Sequence, residues 1–169
     1  NSLTSFITEG WYSVTPELIA RHIAQKITRS LPPTPIILDG MCGPGGNTIQ
    51  FASFMPIVFS VDIDPNKIRL AKHNAKIYGV DSHIEFIIGD FVKLAPKFRV
   101  RIILMPIFVF FIKILMSNQV DAVFLAPPWG GPGYINQEVF DLHSMKPDGY
   151  TACTIFLVSQ IANTCEDWR

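Results

Sequence analysis

The chain has 169 residues, of which 49% are hydrophobic and 17% are charged, and its 14 basic side chains balance its 14 acidic ones. Such a length and apolar content predict a single domain of roughly 100–200 residues and exclude a disordered chain. A net charge near zero argues against a general electrostatic nucleic-acid binder, but not against a reader of one small nucleotide feature. The three cysteines are too widely spaced for a disulfide framework or a zinc site, so we expect no metal.

The predicted elements alternate along the chain. A helix is predicted at residues 15–30, with Thr15 as its cap, Pro16 at its first position and apolar side chains at helical spacing. Apolar runs predict strands at 36–38, 57–61, 84–88 and 120–125, and helices are predicted at 47–54 and 65–78. Apolar strands that alternate with helices predict an α/β fold whose parallel sheet is covered on both faces.

One almost wholly apolar stretch interrupts this alternation. Residues 102–116 read IILMPIFVFFIKILM. A membrane-spanning helix needs about 20 apolar residues, and this stretch is shorter and contains Pro106 and Lys113. We therefore do not expect a membrane span.

Polar or aromatic residues follow each predicted strand. Ligands of parallel α/β sheets bind outside the carboxyl ends of the strands. The first strand is followed by Asp39 and by a loop containing Gly43, Gly45 and Gly46, which would let the backbone approach a ligand closely and would open a helix N-terminus to an anionic group. A plain tight turn is the alternative explanation of these glycines.

Two acidic residues end the next two strands. Asp62 is placed to accept the hydroxyls of a ribose, or else to cap the following helix, for which Asp64 is better placed. Asp90 is placed to accept from the exocyclic amine of adenine, with Phe91 against the ring, or else to act as a turn residue. Because these residues and the glycine loop share one edge of the sheet, the sequence predicts an adenosine-bearing cofactor.

The fourth strand is followed by Pro127, Pro128 and Trp129. Such a turn presents rigid main-chain carbonyls beside an aromatic ring, and stacking of a base on an aromatic ring contributes about 1–3 kcal/mol. This arrangement is suited to holding a planar nucleobase with its exocyclic amine toward a methyl donor. A core position is the alternative for Trp129.

Several segments together resemble the trimethylguanosine synthase family, the RNA cap guanine-N2 methyltransferases. They are DGMCGPGGNTIQFA at 39–52, VDIDPNKI at 61–68, GDF at 89–91, PPWGGPGY at 127–134, GWYSVTPE at 10–17 and FDLHSMKPDGY at 140–150. The resemblance implies a Rossmann-like class I methyltransferase fold with a mostly parallel sheet. It also implies that S-adenosylmethionine methylates the exocyclic N2 of a 7-methylguanosine cap, which gives the 2,2,7-trimethylguanosine cap.

The resemblance further assigns roles to individual residues. Asp39, Gly43 and Gly45 would line the methionine end of the cofactor, Asp62 would bind the ribose, and Asp90 with Phe91 would bind the adenine. Pro127, Pro128 and Trp129 would form the catalytic turn, with Ala126, Trp129 and Tyr134 against the cap. The implied partners are capped small nuclear and nucleolar RNAs, in the nucleus (nucleolus and Cajal body), with the cytoplasm as a further location.

Three features depart from the family pattern. Ala126 stands where many relatives have serine, residues 100–119 form an atypical apolar insertion, and the pattern ends near residue 162. We interpret the insertion as a translated short intron or gene-model error, with a real insertion as the alternative. The early end predicts a truncated domain, spanning 1–169, that lacks its C-terminal strands. The alternative function is therefore an inactive methyltransferase-like fragment with at most weak cofactor or cap binding.

Overall fold

The computed structural model describes residues 14–95, 110–112 and 120–127. In chain order the elements are α1 (Glu17–Arg29), β1 (Ile36–Asp39), α2 (Gly46–Ala52), β2 (Ile57–Asp62), α3 (Pro65–Tyr78), a short 3-10 helix (Asp81–His83), β3 (Ile84–Ile88), α4 (Phe91–Leu94), β4 (Phe110–Ile112) and β5 (Ala122–Leu125).

The strands form one sheet in the order β3-β2-β1-β5-β4. The first four are parallel, with Ile36 opposite Ile57, Val58 opposite Ile84, and Ile37 opposite Ala122. The predicted α/β fold with a mostly parallel sheet is therefore confirmed. Because β5 lies on the far side of β1 from β2, the strand order reverses between β1 and β5, which is where open α/β sheets bind ligands.

Strand β4 was not predicted. Its three residues belong to the apolar stretch at 102–116 and pair antiparallel with β5, with Phe111 opposite Phe124. Part of the segment interpreted as an insertion thus extends the sheet by an edge strand. None of the helices in the described ranges is long and apolar enough to cross a membrane.

Strands β1, β2 and β5 bury side chains on both faces of the sheet, as their continuous apolar sequences predict. Ile37 and Phe124 belong to the core on one face, whereas Leu38 and Val123 belong to the core on the other. On the first face, the ring of Phe51 from α2 meets that of Phe124 edge to face, with 5.0 Å between centroids and 68° between planes. Helices α1, α2 and α3 cover this face, and α4 contributes to the core on the opposite face.

Helix α3 follows the sequence signals closely. Asp64 is its N-cap and accepts a hydrogen bond from the Asn66 amide at 2.8 Å, while Pro65 is the first helical residue. The helix ends at Gly79, which adopts a φ of 68°. The prediction that Asp64 is the cap is confirmed.

The start of α1 differs from the prediction. Pro16 is the N-cap, and no side chain caps this helix. The Thr15 hydroxyl instead accepts a hydrogen bond from Asn47 Nδ2 at 3.1 Å. The prediction that Thr15 caps α1 was wrong, because this hydroxyl joins the segment before α1 to the start of α2.

Candidate cofactor site at the carboxyl edge of the sheet

The loop between β1 and α2 is hydrogen-bonded to the end of β2. The Gly43 amide donates to Asp62 Oδ2 at 2.8 Å, and the Cys42 amide donates to the Val61 carbonyl at 2.9 Å. Gly43 and Gly45 adopt φ values of 55° and 90°, which favour glycine. Two of the predicted site features, the glycine loop and Asp62, are thus in direct contact.

Helix α3 supports the other side of this loop. A Cβ atom on Gly45 would lie 3.1 Å from the Cβ of Ala71, so the absence of a side chain allows the loop to pack on the helix. Asn74, which is 1% exposed, donates from Nδ2 to the Pro44 carbonyl at 3.0 Å. At Gly43, by contrast, a Cβ would meet no atom within 4 Å in the described part of the chain.

Asp39 lies at the end of β1 and is 1% exposed. Its Oδ2 accepts a hydrogen bond from the Thr48 hydroxyl at 2.6 Å, and the Thr48 oxygen is 3.0 Å from Ser60 Oγ. A hydroxyl has one proton, so with Thr48 donating to Asp39, Ser60 donates to Thr48. Asp39 Oδ1 is buried and has no hydrogen-bond partner among the described residues.

The environment of Asp39 makes it a weak acid. Burial raises the pKa of Asp39 from 3.8 to about 7; the Thr48 hydroxyl and the backbone amides of Met41 and Thr48 lower it, and the nearby charge of Asp62 raises it. A cationic hydrogen-bond donor at Oδ1 would favour the ionised carboxylate and satisfy the free oxygen. The chemistry of this position therefore suits an ammonium group.

Asp62 is buried, and both of its carboxylate oxygens accept hydrogen bonds from the backbone. Oδ2 accepts from Gly43, and Oδ1 accepts from the Asp64 amide at 2.9 Å. A carboxylate has about four acceptor positions, so about two remain. The Asp62 carbonyl also accepts from the Gly89 amide at 3.0 Å, which connects the end of β3 to the same edge of the sheet.

Asp90 is the N-cap of α4. Its Oδ1 accepts from the Val92 amide at 3.0 Å, and Lys93 Nζ lies 3.5 Å from Oδ2. Phe91 is 3% exposed and packs in the core beside β1. The proposed contacts of Asp90 and Phe91 with adenine stay predictions, since the structure shows Asp90 in a local capping role.

The end of β5 lies beside the end of β1. The Gly40 amide donates to the Phe124 carbonyl at 3.0 Å, and the half-buried Ala126 and Pro127 follow directly. The predicted turn therefore begins at the same edge as Asp39. Pro128, Trp129 and Tyr134 lie outside the described residues.

Sequence reasoning missed three buried polar residues of the site, Thr48, Ser60 and Asn74. A signal existed for two of them: Ser60 interrupts the apolar run of β2, and Asn74 shares a helix face with Ile68 and Ala71. No group of histidine, cysteine or acidic side chains suited to a metal occurs in residues 14–95 or 120–127.

The chain is similar to known methyltransferases. The sequence profile of the RNA cap guanine-N2 methyltransferases matches residues 34–164. The trimethylguanosine synthase of Schizosaccharomyces pombe is 40% identical over 140 residues, covering 82% of this chain and 52% of that protein. That of Saccharomyces cerevisiae is 40% identical over 144 residues, covering 85% and 41%.

The chain thus spans about half the length, or less, of these curated relatives. Among solved structures, an RNA methyltransferase from Salinibacter ruber in complex with S-adenosyl-L-homocysteine is similar, with a TM-score of 0.40 and 27% identity, covering 46% of this chain and 50% of that one. The strand order together with the profile match confirms the predicted Rossmann-like methyltransferase fold. The chain belongs to the RNA cap guanine-N2 methyltransferase family.

Proposed function

We propose that this chain transfers methyl groups from S-adenosylmethionine to the exocyclic N2 of the 7-methylguanosine cap of small nuclear and nucleolar RNAs, forming the 2,2,7-trimethylguanosine cap in the nucleus. The observation that carries the proposal is the free Oδ1 of the buried Asp39, beside the glycine loop, in a chain of the cap methyltransferase family. The family match does not favour the alternative of an inactive fragment.

The residues at the sheet edge fit S-adenosylmethionine. Asp39 Oδ1 accepts a hydrogen bond from its ammonium group, and the space beside Gly43 admits its methionine end. The remaining acceptor positions of Asp62 bind the ribose hydroxyls, and Asp90 with Phe91 binds the adenine. When bound, the cofactor supplies a methyl group activated by a positively charged sulfur.

The turn after β5 binds the cap in this proposal. Trp129 stacks on the 7-methylguanine base, whose positive charge strengthens the contact through cation–π attraction. The main-chain carbonyls of Ala126, Pro127 and Pro128 orient the exocyclic amine, and Tyr134 lies against the cap. Positioning of the amine provides most of the catalysis, and the proton leaves to solvent without a dedicated base.

The test is a methyl-transfer assay with labelled S-adenosylmethionine and a 7-methylguanosine cap analogue. Trp129→Ala should lower kcat/KM roughly 5- to 150-fold, the factor that corresponds to one lost stacking contact, while the Kd for S-adenosylmethionine stays unchanged. Asp39→Ala should weaken cofactor binding itself. Trp129→Phe, which keeps a stacking ring, is the matched control and should retain most of the activity.

A second protein, which lacks residues 100–119, tests whether this insertion prevents activity at an otherwise intact site. Activity only after this deletion would mean that the site is right and that the insertion blocks it. Cofactor binding without any transfer, in both samples, would support the inactive-fragment alternative. Absence of both binding and transfer by a folded chain would refute the proposed function.

A further inference from the structure

The charges of this electrically neutral chain are unevenly distributed. Helices α1, α2 and α3, which cover one face of the sheet, contain seven of the 14 lysines and arginines but one of the 14 acidic residues, Glu17. The seven cations are Arg21, Lys26, Arg29, Lys67, Arg69, Lys72 and Lys76. We call the surface formed by these three helices the basic layer; its helices have a net charge of +6 from seven cations and one anion.

Three of the four cations of α3 share one exposed side of the helix. Arg69, Lys72 and Lys76 are separated by three and four residues, a spacing that places side chains next to one another, and all three are exposed. No acidic residue occurs within α3; Asp64 precedes it as the cap and Asp81 follows it.

Helix α1 covers the same face of the sheet and packs against α2, which in turn contacts α3. The Tyr78 hydroxyl at the end of α3 donates to Glu17 Oε2 at 3.2 Å, which joins the end of α3 to the start of α1. Arg21, Lys26 and Arg29 are exposed on α1. The one carboxylate of the basic layer is therefore engaged with a tyrosine at the contact between the two helices.

Among the described residues, no carboxylate oxygen lies within 4.0 Å of a cation of the basic layer. Within residues 14–95 and 120–127, the ion pair shorter than 4.0 Å is that of Lys93 with Asp90 on α4. Two of the cations instead lie over aromatic rings, Arg21 at 5.9 Å from the centroid of Phe54 and Lys72 at 5.8 Å from that of Phe86. Such contacts hold the side chains on the surface without cancelling their charge.

From this distribution we infer that the basic layer binds the phosphate backbone of the RNA beyond the cap. An unpaired stripe of cations on one face is the electrostatic footprint of a nucleic-acid-binding surface, and release of counterions from the RNA drives the association. The inference rests on the proposed function in one respect: the proposed function identifies RNA as the polyanion that this surface binds. None of the seven cations is among the residues proposed to bind the cofactor or the cap, so binding of the RNA body and methylation of the cap are distinguishable.

The test measures binding of an uncapped single-stranded RNA by fluorescence anisotropy over a series of salt concentrations. If each side chain makes one phosphate contact, the triple variant Arg69→Gln, Lys72→Gln, Lys76→Gln should lower the slope of log K against log salt by about 2 and the affinity at about 0.1 M salt by roughly 100-fold. Thermal unfolding of the variant verifies its fold.

Two single variants form the matched control. Lys76→Gln and Lys93→Gln remove the same charge from opposite faces of the sheet, and Lys93 is 83% exposed. Only the first should lower the salt slope, by about 0.7. Equal effects of the two, a triple variant that binds like the wild type, or a wild-type chain that does not bind uncapped RNA would each overturn the inference.

Methylation of a free cap analogue, which has no RNA body, separates this inference from the proposed function. The triple variant should methylate the analogue at the wild-type rate. Failure of the wild type to methylate the analogue counts against the proposed function and leaves the RNA-binding measurement valid. Wild-type methylation with unchanged RNA binding by the triple variant refutes the inference alone.

Discussion

Replacement of Asp39 by asparagine should stabilise the folded chain at neutral pH while weakening cofactor binding. Asp39 is buried, and its pKa is raised from 3.8 to about 7. The folded state therefore holds this proton more tightly than the unfolded state. The stability that the protonated Asp39 carboxyl contributes is fully present below the ordinary pKa of aspartate, and it is lost as the pH rises through about 7.

The magnitude follows from the size of the shift. At 1.36 kcal/mol for each unit of pKa, ionisation of Asp39 costs roughly 4 kcal/mol of folding free energy above neutral pH. Asparagine has nearly the same shape, keeps an acceptor for the Thr48 hydroxyl and does not ionise. Like the protonated acid, it places a donor group at the Oδ1 position, two N–H where the acid has one O–H, so most of that cost cancels in the comparison.

The assay is urea unfolding of both proteins, followed by circular dichroism, between about pH 4 and pH 8. The free energies of unfolding should nearly coincide at the acidic end, and Asp39→Asn should be more stable by roughly 4 kcal/mol at the basic end. Asp64→Asn, at the N-cap of α3, is the control and should show no such divergence, because asparagine also caps helices.

Parallel stability curves for the wild type and Asp39→Asn would refute the account of Asp39, as would a wild type that is the more stable at pH 8. The Kd for S-adenosylmethionine provides an independent check, because Asp39→Asn should stabilise the fold but weaken cofactor binding. If Oδ1 binds the ammonium group, Asp39→Asn should bind the cofactor more weakly than the wild type above about pH 7, where the wild-type carboxyl is ionised, and the two affinities should converge at acidic pH. Wild-type affinity should rise with pH through about 7, as the carboxylate forms.

Three further predictions concern the same edge of the sheet. Thr48→Val removes a hydroxyl that lowers the pKa of Asp39, so in urea unfolding the pH-dependent loss of stability should begin at the same pH but continue to higher pH, and Thr48→Ser should restore the wild-type range. Gly40→Ala would place a Cβ 2.6 Å from the ring of Phe91, and overpacking of this kind should cost about 1–3 kcal/mol in the same assay. Burial raises the pKa of the Cys42 thiol well above 9, so in a chain whose other cysteines are serines, iodoacetamide should react far more slowly with the folded than with the urea-unfolded protein.

Most of the fold was predictable because the four parallel strands are short apolar runs, each bounded by an acidic residue or by a glycine or proline turn. The structure places β1, β2, β3 and β5 within one or two residues of the predicted ranges. The short helix α4 was missed because its four residues contain less than two turns of periodic pattern. Strand β4 was missed because a long apolar run does not reveal which of its residues pair with a neighbour.

The site was predictable as far as the residues that end the strands. Asp39, Asp62 and the glycine loop share one edge because parallel strands bring their carboxyl ends together. The apolar surroundings of Ser60 and Asn74 in the sequence indicate that they are buried, but not what they contact, and Thr48 carries no such signal. Only the folded geometry, with oxygens 2.6 Å and 3.0 Å apart, shows that the two hydroxyls join Asp39 to β2.

A net charge near zero does not exclude a nucleic-acid-binding surface, because the net charge sums all charges without regard to their positions. At physiological ionic strength the screening length is about 8 Å, whereas packed layers of secondary structure lie about 10 Å apart. Charges on opposite faces of the sheet are therefore largely screened from one another. A phosphate at the basic layer interacts with Arg69, Lys72 and Lys76 and only weakly with carboxylates across the sheet. Local charge, and not the net charge of zero, sets the affinity of this surface for RNA.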